Sequence, residues 1–278
     1  MKKPKFQKNH AVAGVIEALL MVALVAIIIS MIQLIYIPDI MEQREADHMD
    51  QVSNQFSTLK SMIELQSITN STAPISTMLT LGSRELPYFI SVRSFGEVSV
   101  ERSSGSYISI DGASPGNPYY YDLTSIKYHA QNAYFVDQKY ILEGGGIIVE
   151  QSNGEPVMRV DPSLIIQTSS EIQIHFNLPI IVGTPGKNVT SGLGKCFIRT
   201  TWEEGGIDII EGAGINTIKI STNYPNAWYE SLHDMLGENV NYEEGDSYIK
   251  ISKSGSTPIY LYLRYYYIHT QIGHGWIK

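Results

Sequence analysis

The most chemically pointed residue in this 278-residue chain is a carboxylate with nothing polar around it. Glu17 is the one charge in Ala11–Ile37, AVAGVIEALLMVALVAIIISMIQLIYI. A carboxylate in hydrocarbon is costly enough to call for a partner cation or an escape to the headgroups. Elsewhere the reactive residue types are present without the spacing their chemistry needs. Nucleophilic catalysis has neither a Gly-x-Ser-x-Gly elbow nor a recognisable signature around Cys196, which in KCFIRT reads as an inward-facing small hydrophobe. His269 and His274 stand five apart in a tail and do not share a helical face for zinc. Glu203, Glu204 and Asp208, like Glu243, Glu244 and Asp246, offer the oxygens calcium takes, without the spacing of a calcium loop, and read as solvated acids. Gly144-Gly145-Gly146 lacks the lysine and following helix of a phosphate loop and reads as a strand bend. The expectation is a protein that is not an enzyme, with no metal and no cofactor.

One stretch is suited to contact rather than reaction. Ile259, Leu261 and Leu263 alternate with Tyr260, Tyr262 and Arg264 ahead of Tyr265-Tyr266-Tyr267. On a strand this puts apolar residues on one face and tyrosine hydroxyls on the other, with contact area at low side-chain entropy cost. Tyr260, Tyr262 and Tyr266 would form a sugar- or subunit-binding face; the alternative is a strand buried on both sides.

These residues need elements to hold them, and the first is the apolar run itself. Its 27 residues exceed the ~20 that cross a hydrocarbon core as a helix. MKKPKFQKNH before it carries Lys2, Lys3, Lys5 and Lys8 and no acid, so residues 1–10 should stay cytoplasmic and the rest lie outside. No second apolar run follows, which predicts a single-pass membrane protein with an extracellular part of 241 residues. The net charge of −8 includes those four lysines and Glu17, so the part after Ile37 carries −11 and disfavours nucleic acid and anionic lipid as partners. One cysteine leaves no intramolecular disulfide, and the fold must rest on its core. The run is about twice the length of a secretory h-region and leads into charged helix, against simple removal.

HAVAGVIEALLMVALVAII resembles the class III signal of archaeal type IV pilins and their relatives, where a short basic leader meets an apolar helix; Ala11, Val12, Val15, Ile16, Leu20, Met21, Val22 and Ala23 match in register. NQFSTLKSMIE, EGGGIIVEQSNGEPVMRVDPS and NTIKISTNYPNAWYESL extend the resemblance to large-headed, uncharacterised pilin-like surface proteins. The resemblance implies cleavage by a prepilin peptidase between His10 and Ala11, retention of the helix, and assembly with like subunits in a surface filament. It also implies that the new α-amino group of Ala11 on one chain pairs with Glu17 of a neighbour; reaching to the headgroups remains the other reading for Glu17. Ala11, Gly14 and Ala18, spaced three and four apart, would let helices approach closely in lipid.

Past the membrane the helix should continue to residue 66, tolerating Pro38 at the exit, because Met49, Val52, Phe56, Leu59 and Ile63 step as one apolar stripe that packs on a sheet. A coiled coil between chains is the second reading of that stripe. Ser67–Pro74 is polar and ends it. Asn70-Ser71-Thr72 and Asn188-Val189-Thr190 are sequons for glycosylation.

From Gly96 onward β-type runs alternate with turns. Hairpins are predicted between Glu97–Arg102 and Tyr107–Ile110, from Tyr140–Glu143 through Ile147–Gln151, across Asn153-Gly154 to Val157–Val160, and from Tyr248–Ser252 to Ile259–Thr270. Glu171–Val182 reads as a long half-buried strand, Lys195–Trp202 and Asn216–Thr222 as further strands, and Tyr224–Leu236 as one helix, with Pro225 in its first turn and Gly237 past its end. The expected fold is α+β: a leader at 1–10, a transmembrane or filament-core helix at 11–37, an amphipathic helix at 38–66, and a β-rich, sandwich-like head at 67–278. The expected role is non-catalytic, in filament assembly or surface display; the alternative is an uncleaved single-pass anchor carrying a domain that recognises a sugar or an envelope protein.

Overall fold

The computed structural model describes residues 9–87, 90–102, 105–112, 118–210, 215–255 and 257–276, with the backbone alone at 9–12 and 207–210. Most of the basic leader therefore lies outside the described residues, as do the side chains of His10 and Ala11. The fold is α+β: a long N-terminal helix packs on a β-rich head of three sheets with one short internal helix.

Helix α1 (Asn9–Met31) passes through one wide turn (Ile32–Tyr36) into α2 (Ile37–Thr69) with no break. The wide turn has a cause in the sequence. Pro38 has no N–H and its ring crowds the carbonyl four residues back, so the ladder loosens to a five-residue spacing, Ile37 N–H bonding Ile32 O. Asn70 ends α2 in the left-handed conformation at φ 47°, its N–H donating to the carbonyls of Gln66 and Ser67. Every described side chain from Ala13 to Met31 is exposed, and this stretch is long and apolar enough to cross a membrane. Its 19 residues span about 28 Å, close to a ~30 Å hydrocarbon core. Ile32 and Gln33 are half-buried, Leu34–Tyr36 are exposed again, and Ile37 is the first buried residue, at the expected boundary.

The strands are β1 (Ile75–Thr80), β2 (Phe95–Glu101), β3 (Tyr107–Asp111), β4 (Tyr119–Asp122), β5 (Ser125–Gln131), β6 (Gln138–Glu143), β7 (Gly146–Gln151) and β8 (Val157–Val160). They continue as β9 (Leu164–Thr168), β10 (Ile172–Gly183), β11 (Val189–Gly192), β12 (Lys195–Ile210), β13 (Thr217–Ser221), β14 (Val240–Gly245), β15 (Tyr248–Lys253) and β16 (Ile259–Ile272), with helix α3 (Pro225–Leu236) after β13. The first sheet has the order β1-β12-β16-β10-β9, the second β11-β2-β5-β6-β7-β8 and the third β14-β15-β13-β3-β4. All pairings are antiparallel among the described residues except β10 with β16.

Two cores lie on opposite faces of the first sheet. Ile172, Ile174, Phe176, Ile259, Leu261 and Leu263 face the third sheet and α3, whose Trp228 and Leu232 are buried there. Further along the same strands Tyr266, Ile268, Ile272, Ile198 and Trp202 face α2 and the second sheet, where the stripe Met49, Val52, Phe56, Leu59 and Ile63 is buried with Tyr128 and Tyr140. A long strand with period-two alternation can serve both, one parity for each core.

Two predicted hairpins do not form. β2 places Val98 in the core under α2 while β3 places Ile108 and Ile110 in the other core, so the chain changes sheets between them; Ser103 and Ser104 of that connection lie outside the described residues. β15 and β16 also part, because Ile249 and Ile251 face Leu261 and Leu263 across one core from opposite sheets. The β6–β7–β8 meander does form, with a different turn chemistry. Neither Asn153 nor Gly154 has positive φ; Gly144 and Gly145 do, at 57° and 84°, and make the tight turn between β6 and β7.

Candidate functional site

The exposed face of the first sheet beyond the end of α2 gathers part of the tyrosine set. Tyr260 and Tyr262 are half-buried there, and the Tyr262 ring stacks on His175 of the neighbouring strand at 4.5 Å and 7°. Ile165, Gln167 and Asn177 continue the surface, a groove of about 380 Å³ that adjoins a second of about 290 Å³ along Glu64, Ile68 and Ser163. Arg264 separates them and is already engaged, donating from Nη2 to Ser67 O at 3.0 Å and Asn70 Oδ1 at 2.8 Å. A cation there satisfies one of the last carbonyls of α2 and complements its dipole. Tyr266, expected on this face, is 2% exposed: it shares the parity of Tyr260 and Tyr262, but α2 covers that half of the strand. Burial pushes its hydroxyl far above the usual phenol range.

A larger cleft, unforeseen from sequence, lies between α2 and strands β6 to β8. Its volume is about 560 Å³, within the range of small-molecule sites. Met49, Gln138 and Tyr140 form a buried floor with half-buried Phe135 and Val149, and exposed Asp50, Gln151, Glu155 and Arg159 form the rim. Tyr140 donates to Met49 O at 3.3 Å, and burial raises its pKa, with Asp50 raising and Arg159 lowering it. Neither Asp50 nor Arg159 makes an ion pair among the described residues. Amides, opposed charges and an aromatic floor can hydrogen-bond and stack a polar, uncharged molecule such as a saccharide. Its residues come from four segments of chain, so no local pattern marks them.

The helix residues expected to mediate assembly share one continuous surface. Gly14, Glu17 and Ala18 are exposed, and open space surrounds the position a Cβ would take on Gly14. The two sequons differ. Asn70 is exposed, with its Oδ1 held by Arg264. Asn188 is half-buried, with its Oδ1 enclosed beside Gly183 and without a hydrogen-bond partner.

The remaining polar groups are tied into structure. Glu45 is fully buried on α2 and accepts backbone N–H bonds from Ala133 at 3.1 Å, Tyr134 at 2.8 Å and Phe135 at 2.7 Å, pinning the β5–β6 loop to the helix. Glu143 is buried beneath α3, accepting from Thr222 Oγ1 at 2.6 Å and Trp228 Nε1 at 3.0 Å. Burial pushes its carboxyl up to about 7, the two donors opposing this. His48, buried on α2, has its pKa lowered by burial, which favours the neutral ring. Cys196 faces inward and burial raises its thiol to about 12. His269 lies 2.6 Å from Glu203, and His274 packs edge-on to Phe197. Glu243 accepts from Lys250 at 3.0 Å and Tyr248 at 2.9 Å, and these donors hold its carboxyl below the usual range. Among the described residues no three His, Cys, Asp or Glu side chains gather to hold a metal. Comparison with protein-family models, with curated proteins and with solved structures finds no match.

Proposed function

We propose that this chain is a pilin-like cell-surface subunit without catalysis of its own, anchored and assembled through a retained N-terminal helix that carries the head outside the cell. One observation carries the reading. A single helix runs from Asn9 to Thr69, bare from Ala13 to Met31 and built into the core of the head from Ile37 onward. Such a rod transmits position from membrane to head, and its bare half bears the lone carboxylate Glu17 beside the small residues Gly14 and Ala18. On this reading a prepilin peptidase cuts between His10 and Ala11 and the freed α-amino group pairs with Glu17 of a neighbouring chain.

The test is the N-terminal residue of protein purified from its native cell. Ala11 supports the pilin route; Met1 or Lys2 means a plain anchor. Glu17→Ala should leave the protein in the membrane and abolish assembly, and normal assembly and processing in that variant would remove the pairing role.

The cleft under Asp50 and Arg159 favours a second reading, an anchored domain that binds a saccharide. Titration of the protein with neutral oligosaccharides, and loss of binding in Gln138→Ala, would distinguish it.

A further inference from the structure

We infer that the stretch Ile90–Val92, just ahead of β2, is a second membrane contact, resting its exposed apolar residues on the outer boundary of the same bilayer that α1 crosses. The inference stands on the membrane-anchored reading above. Ile90 is 84% exposed and Val92 57% exposed, a combination that leaves two β-branched apolar side chains without cover in the head. Their height is set by a hydrogen bond: Gln33 Nε2 on the wide turn of the helix donates to Ile90 O at 2.7 Å. Helical side chains lean toward the N-terminus. The Gln33 amide therefore lies near the level where the bare stretch ends at Met31, about 28 Å up the helix from Ala13.

The occupant follows from continuity. Leu34 and Ile35, 75% and 59% exposed on the same turn, extend the apolar surface of α1 to the level of the loop. Gln33 would be an expensive residue in hydrocarbon, and its bond gives one of its N–H groups an acceptor and gives the Ile90 carbonyl a donor. The loop is also braced against being pushed aside. Val92 N–H donates to Tyr134 Oη at 3.3 Å, Leu86 N–H to Ser91 Oγ at 2.9 Å, and Arg93 pairs with Glu85. Tyr134 belongs to the β5–β6 loop that Glu45 clamps, so the contact is tied back to α2. Two contacts, a spanning helix and a braced loop beside it, restrict the tilt and rotation of the head over the membrane.

The experiment uses the full chain in phosphatidylcholine nanodiscs with Cys196→Ala, carrying one nitroxide at a time on Ile90→Cys, Val92→Cys, Leu24→Cys or Asn54→Cys. Collisional accessibility to oxygen is compared with that to a water-soluble nickel chelate. The expected result is an oxygen-to-nickel ratio at positions 90 and 92 several-fold above that at 54 and below that at 24. Lipid-like values at 24 with water-like values at both 90 and 92 would overturn the loop contact and leave the span intact. Water-like values at 24 as well would remove the span and the inference together. Dipolar broadening between labels at 90 that persists with one chain per disc excluded, and vanishes at one per disc, would assign the patch to a second copy and also overturn it.

Discussion

Glu45 and Glu143 are both buried carboxylates, and their surroundings give them opposite consequences. Glu45 fills a loop of three backbone N–H donors, those of Ala133, Tyr134 and Phe135. Glu45→Ala takes the acceptor from a loop whose residues are exposed or half-buried, so water replaces part of it, and should cost about 2 kcal/mol, read as a lowered urea midpoint in micelles; Glu45→Gln keeps one acceptor oxygen and should lose less. Glu143 sits in an apolar core with donors from Thr222 and Trp228, and its carboxyl rises from 4.5 to about 7. Between those values the folded state binds the proton and the unfolded state releases it, so stability falls as pH rises through that window and stays lower above it. Glu143→Gln should flatten that slope and gain at most about 3 kcal/mol above pH 7, measured as unfolding free energy across the pH range.

At the scale of elements, the head depends on turns whose chemistry differs from what their sequence advertises. The Asn153-Gly154 pair joins β7 to β8 without positive φ, and a Cβ on Gly154 would meet open space, so Gly154→Ala should be nearly silent. Gly144 has φ 57° and its absent Cβ would come 2.9 Å from the Trp228 ring. Gly144→Ala should therefore destabilise by about 2 kcal/mol, seen as a Tm several degrees below that of Gly154→Ala. The same tight turn positions Glu143 under α3, so a shift there should also move the Glu143 titration. Pro38 shows the reverse case, where a residue that ordinarily ends a helix is absorbed by one wide turn.

For the whole molecule, one helix carries two different surfaces. Phe56 is fully buried between Tyr128 and Tyr140, at ring separations of 6.4 and 5.7 Å, whereas every described side chain of Ala13–Met31 is exposed. Phe56→Ala should cost the head 3–5 kcal/mol, roughly the loss for a large buried aromatic, seen as loss of cooperative unfolding by tryptophan fluorescence. The same variant should remain in the membrane fraction after alkaline carbonate, because the proposed span makes no use of Phe56. Release of the variant would show that the helix is held by the head rather than by lipid.

Periodicity and composition alone determined the features that depend on neighbours in sequence. These are the apolar run, the stripe from Met49 to Ile63, the long strands around Phe176 and Leu263, helix α3 with Pro225 and Gly237 at its ends, and the inward cysteine, because burying one face of an element leaves a local pattern. What covers each face is decided by contacts far apart in the chain. Tyr260 and Tyr266 share strand parity, yet only Tyr266 lies beneath α2; the β2–β3 and β15–β16 turns look like hairpins, yet their strands belong to different sheets. The polar cleft, the Glu45 clamp and the meeting of Gln33 with Ile90 likewise exist only once the sheets close around the helix, since no short-range signal records which distant backbone a side chain will reach.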